Sequence, residues 1–206
     1  MKSAPLAIAC ALAFCTLLPL DANAQTLPAA AARLLPATHA PTSQRDVRVD
    51  GTPARLIRHE RRNGVHAGLG GEHFSVLLDE RGGLKGFANM SLAVAGQPLS
   101  SRERTEAVAR AFLQEAAPDL LPRMRISWIE PHDETVRAAS GPVTLTGMKL
   151  KARNTADGRW FWVIVGADER PLVFERDIVW INMPGRRQTE KWLHDDWLAQ
   201  QAAPAG

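Results

Sequence analysis

The chain has 206 residues, with 25 Lys and Arg against 22 Asp and Glu and a formal net charge of +3. This mild excess, without a dense Lys/Arg tract, argues against nucleic acid and leaves attraction to envelope polymers, anionic lipids or acidic proteins open. The 2 cysteines, Cys10 and Cys15, both fall within the first 24 residues, so a chain processed there has no disulfide, thiolate metal ligand or cysteine nucleophile.

Residues 1–24 read as a secretory signal peptide. Lys2 supplies the positive start, Ala4 to Leu20 is almost wholly apolar, and Ala22-Asn23-Ala24 gives the small-x-small cleavage pattern, which makes Gln25 the new N-terminus. Cleavage leaves no transmembrane anchor and directs the protein to the periplasm or the medium. An Ala- and Arg-rich exported chain points to a bacterial envelope. Residues 25–44, with Pro28, Pro36 and Pro41, predict a flexible leader, and 200–206 a flexible tail. Between them, 45–199 predicts one α+β globular domain, open to division into sub-units 45–98 and 99–199: antiparallel sheet meanders packed against one or two helices.

In chain order, Ala54 to Arg62 reads as a strand whose charges suggest a sheet edge. Phe74, Val76 and Leu78 alternate before Arg81-Gly82-Gly83, and Leu84 to Phe87 follows, which predicts a hairpin. Ser100-Ser101-Arg102-Glu103 has the spacing of a capping box, so a helix should start with Ser100 as its cap and end before Pro118. Met124 to Glu130, Val143 to Arg153, Arg159 to Val165 and Leu172 to Ile181 predict four more strands. The apolar parity changes at Gly147, which predicts a β-bulge there. Thr189 is placed to cap a terminal amphipathic helix carrying Trp192, Leu193 and Trp197.

The run Phe74 to Leu84, an alternating strand ending in Asp79 and a Gly turn, resembles the final hairpin of PepSY-type domains. The Ser100 to Leu113 helix resembles the helix that opens the next such unit. Together they span residues 74–113, about a fifth of the chain. That resemblance implies an exported or membrane-associated module with a noncatalytic binding or inhibitory role, and it leaves the Trp-rich C-terminal section unexplained.

Five of the 6 tryptophans, Trp160, Trp162, Trp180, Trp192 and Trp197, fall late in the chain. Trp160 and Trp162 share one strand face, while Phe161, Val163 and Val165 share the other. Either the terminal helix covers the Trp face as core, or the face is an exposed binding surface. Beside it, Arg186 and Arg187 sit in a Pro-Gly turn and suit an anionic group. The candidate binding residues are therefore Trp160, Trp162, Arg186, Arg187, Trp192 and His194.

His194-Asp195-Asp196 and His132-Asp133-Glu134 are the densest sets of acid-base or metal-ligating groups, but neither has a metal-site spacing. No serine-hydrolase elbow, metalloprotease helix, P-loop or dinucleotide fingerprint is present, so the reading assigns no catalytic residue, metal or cofactor. Gly68 to Gly71 precedes a strand and reads as a turn, and Arg58 to Arg62 as a solvated edge. These observations favour an exported, noncatalytic binding or regulatory module that contacts an envelope protein or peptide through its Trp/Arg-rich C-terminal face. An enzyme using a His/carboxylate pair and a structural subunit of an envelope assembly are the alternatives.

Overall fold

The computed structural model describes residues 26–181 and 185–202. The expected signal peptide lies outside the described residues. Among those described, no helix is long and apolar enough to cross a membrane.

The fold is α+β, an eight-stranded antiparallel sheet with helices on its faces. A short helix α1 (Ala29–Ala32) leads into β1 (His39–Val49), β2 (Thr52–Arg61), β3 (His73–Asp79) and β4 (Leu84–Met90). Helix α2 (Arg102–Ala116) then leads into β5 (Met124–Ala138), β6 (Gly141–Asn154), β7 (Trp160–Val165) and β8 (Pro171–Ile178). The order across the sheet is β1-β2-β3-β4-β8-β7-β6-β5. Two meanders, each preceded by a helix, thus meet at their last strands. The seam pairs Gly86 with Glu175, Phe87 with Phe174 and Ala88 with Val173. A side chain at position 86 would put its Cβ 2.6 Å from the Phe174 carbonyl oxygen and 2.8 Å from Leu193 Cδ1, so only glycine lets the strands close here.

Turn chemistry sets the hairpins as the sequence predicts. Asp79 Oδ1 accepts from the amides of Arg81 and Gly83 at 2.9 and 2.7 Å, and Gly82 takes φ 81°. Helix α2 begins one residue later than expected: Ser101, not Ser100, is the cap, and its hydroxyl accepts from the Arg104 amide at 3.1 Å. The helix ends before Pro118 as expected.

Helix α2 lies over one face of the sheet. Phe112 meets Phe87 at 5.6 Å and Phe174 at 5.2 Å between ring centroids, and Phe87 stacks on Phe74 at 5.7 Å, so one aromatic column ties the helix to both meanders. The other face is covered by the C-terminal segment, a two-stranded ribbon of β9 (Trp180–Ile181) and β10 (Arg186–Arg187) followed by α3 (Asp195–Ala202). Leu193 and Leu198 pack there against Leu56, Leu77, Val173, Trp162 and Ile164. The tip of the β5–β6 hairpin reaches back to the first meander, where the Arg137 amide donates to the Gly70 carbonyl and its guanidinium to those of Ala67 and Leu69.

Several expectations are corrected. Of the flexible leader expected over 25–44, the described part is instead built into the fold: Ala30 and Ala31 are buried beside α2, and residues 39–41 and 43–44 pair with β2. Alanines bury without a visible apolar stripe, and a polar edge strand is held by its main chain, so neither leaves a hydrophobic signature. Strand β2 is internal, and β1 takes the edge. No bulge occurs at Gly147, which pairs in register with His132; the shift in that hairpin lies between Ile126 and Trp128. The parity change arises because Leu145 faces the C-terminal segment while Leu150 and Ala152 face α2. Glycine stands at 147 because a Cβ there would lie 2.6 Å from Ile164 Cγ2. The terminal helix starts at Asp195 instead of near Thr189, whose hydroxyl is occupied by the Val179 amide and Asp50, and it continues through the start of the expected tail.

Candidate functional site

The C-terminal segment is fastened to the sheet by polar groups that are mostly buried. At its start, Arg187 makes a bidentate pair with Glu175 on β8, at 2.7 and 3.1 Å, and also donates to the carbonyls of Thr189 and Glu190. His194 Nε2 lies 3.0 Å from Oε2 of the same carboxylate, the oxygen that also accepts from Arg187 Nη1. Further on, Asp195 receives both terminal nitrogens of Arg58 at 2.7 and 3.0 Å and the Gly70 amide at 2.6 Å. Arg58 also donates to Glu60 and to the Gly68 carbonyl. The run from Arg58 is therefore an internal anchor, correcting the solvated edge expected for it.

These contacts set the charge states. Burial alone would push the Glu175 carboxyl up, but the charges of His194 and Arg187 and the hydrogen bonds they give outweigh it and hold the group well below the ordinary range. For His194 burial works downward, and the Glu175 charge overrides it and raises the imidazole. His73 behaves oppositely: burial and the Arg58 charge lower it to about 4, so the ring is neutral near pH 7. Its Nδ1 lies 2.9 Å from the Gly71 carbonyl, which fixes the proton on Nδ1 and leaves Nε2 as a buried acceptor without a partner among the described residues.

A second feature lies on the same sheet face, toward β5. Lys151 Nζ sits 4.7, 4.9 and 5.6 Å from the rings of Trp160, Trp180 and Trp128. One residue pair along, Lys149 lies 4.4 Å from Trp162, and the Arg187 guanidinium approaches that ring at 5.5 Å. Cations over indole faces are attracted by the ring quadrupole. Burial lowers both lysines, Lys149 against the opposing charge of Glu175. Trp180 is 39% exposed, so this cluster opens to solvent.

The six candidate residues are divided by the fold. Trp162, 4% exposed, and the Arg187 side chain, 6% exposed, are interior. Trp160 is half-buried beside Lys151. Arg186 is exposed, on the ribbon face opposite Arg187. Trp192 packs edge-on against Trp197 at 4.6 Å and donates from Nε1 to the Arg48 carbonyl, which places both rings at the β1 side, away from Trp160 and Trp180. The tryptophans thus form two groups. Sequence reasoning missed Trp128, Lys149, Lys151, Arg58, His73 and Glu175. A signal existed for Lys149 and Lys151, which alternate on one strand face, and for Glu175, a lone carboxylate closing the apolar run Leu172-Val173-Phe174.

His194, Asp195 and Asp196 do not converge on one point; with Gly70, His73 and Glu134 they line a polar cavity of about 170 Å³. His132 and Glu134 share a side of β5, 3.3 Å apart. Among the described residues, no group of three or more His, Cys, Asp or Glu is placed to hold a metal ion. A larger groove of about 360 Å³ between α1 and α2 is lined mainly by Ala30, Leu34, Val108, Ala111 and Phe112. No known protein family, curated protein or solved structure matches this chain.

Proposed function

We propose that this protein is an exported, noncatalytic binding or regulatory module of the bacterial envelope that engages a protein or peptide partner through its Trp- and Arg-rich C-terminal face. The observation that carries this reading is the open cluster of Trp160, Trp180 and Trp128 around Lys151, with Trp180 left 39% exposed. Aromatic and cationic side chains of this kind dominate binding energy at interfaces. Trp160, Trp180 and Arg186 make the contact, while Trp162 and Arg187 hold that face in place from beneath. An acid-base role for His194 is the weaker reading, because its carboxylate partner Glu175 is already neutralised by the bidentate pair with Arg187.

The test is capture of a partner from native envelope extract by the immobilised protein. Trp180→Ala and Arg186→Ala are expected to reduce capture while leaving the unfolding midpoint unchanged. Capture of the same partner at undiminished yield by both variants would sink the assignment of this face.

A further inference from the structure

The chemistry of the partner can be taken one step further, resting on the binding reading above. Lys151 is a cation held among three indoles, and among the described residues no carboxylate pairs with it. Glu130 stands opposite Lys149 on β5, yet no ion pair joins it to either lysine among those residues. Arg153, the next position on the same strand face, lies 5.8 Å from Trp160 and gives its Nε hydrogen to the Gly158 carbonyl. Three successive same-face positions of β6 therefore present positive charge beside indole rings. Ring faces partly replace water for an ammonium group but supply no negative charge, so the cluster is complementary to an anion.

The adjoining strand says what kind of molecule brings that anion. Strand β5 is the outer strand of the sheet. Among the described residues, its main-chain hydrogen bonds outside the pairing with β6 are two: that of Met124 to the Leu121 carbonyl, inside the turn that enters the strand, and that of Arg137 to Gly70, at the far end from Trp128. Near Trp128 its outer edge is thus free to pair with an extended peptide, a mode in which main-chain bonds give affinity and alternate side chains give specificity. We propose that an acidic, extended segment of the partner adds along β5 beside Trp128 and places a carboxylate over the three indoles to pair with Lys151. The added strand stands two strand spacings from β6, roughly 9.6 Å, which Glu and Lys side chains reaching toward each other can span.

The test titrates the purified protein, followed by tryptophan fluorescence, with five probes. These are a soluble eight-residue peptide alternating Glu and Val, its Gln and Lys counterparts, a polyuronate oligosaccharide, and vesicles containing phosphatidylglycerol. The Glu peptide should bind saturably and about tenfold or more tighter than the Gln peptide, with the Lys peptide weaker still. Lys151→Gln should erase the preference for Glu over Gln, and Trp128→Ala should weaken both. N-methylation of alternate peptide amides should also weaken binding, which a contact made by side chains alone would not show. Equal binding of Glu and Gln peptides, or an unchanged preference in Lys151→Gln, overturns the proposal. So does Lys151-dependent binding of the polyuronate or the vesicles with no response to the peptide. If the peptide fails while an envelope partner is still captured through Trp180, the acidic-peptide chemistry falls and the binding reading stands; capture indifferent to Trp180 and Arg186 removes the binding reading itself.

Discussion

On the face beneath α2, Phe74, Phe87, Phe112 and Phe174 meet ring to ring, with Leu113, Leu150 and Val163 around them. On the opposite face Arg58, Glu175 and Arg187 are buried among Trp162, Leu193 and Leu198. Apolar packing is nondirectional and forgiving, so the first face holds the helix by area. Buried ion pairs demand geometry, so the second face fixes where the C-terminal segment lies and keeps the Lys–Trp cluster assembled beside it.

That contrast can be broken from either side. The largest loss is expected for Phe174→Ala, which empties a fully buried site: about 4 kcal/mol by urea or guanidinium unfolding, with no change in partner specificity among molecules that remain folded. Glu175→Gln is expected to cost about 3 kcal/mol, because Arg187 is left buried without its counter-charge. Replacing the pair together, Glu175→Leu with Arg187→Met, should recover most of that loss, whereas a double variant no more stable than Glu175→Gln would show that the pair itself, not its imbalance, matters.

The third effect is a pH dependence. Unfolded His73 takes its proton near 6.5 and the folded residue only near 4, so the unfolded chain binds more protons between those values. Stability should therefore fall by about 3 kcal/mol as pH drops from 6.5 to 4. His73→Gln should reduce that slope without abolishing it, because burial also lowers His39 and His59 and gives them the same sign. His194 has the opposite sign: its raised value adds stability that is complete below 6.5 and lost as pH rises through the folded value. The smallest effect sharpens the comparison from outside the core. Ser101→Ala removes the α2 cap and should lower stability by about 1 kcal/mol, without altering the C-terminal face.

The parts legible in the sequence are those whose causes are local. The hairpin through Asp79 and Gly82, the α2 stop at Pro118 and the opposed faces of Trp162 and Phe161 all follow from spacing and turn chemistry. The buried polar fastenings do not, because Arg58 meets Asp195 from 137 positions away and a lone Arg in a charged run looks the same whether paired or solvated. Arg187 was visible as a binding-type residue, but only the fold shows its guanidinium turned inward to Glu175. Trp128 escaped notice because it stands apart in sequence from the other tryptophans and joins them only across the β5–β6 pairing.

The C-terminal segment reaches anchors in both meanders: the Arg48 carbonyl, Asp50, Arg58 and Gly70 in the first, Glu175 in the second. In a polypeptide that is made or threaded N-terminus first, these docking points all precede the fastener in time. Until Asp195 arrives, Arg58 has no counter-ion from that end and its side of the sheet must stay wet. A chain stopped short of Asp195 would therefore leave that flank open and hydrated, however well the two meanders had paired.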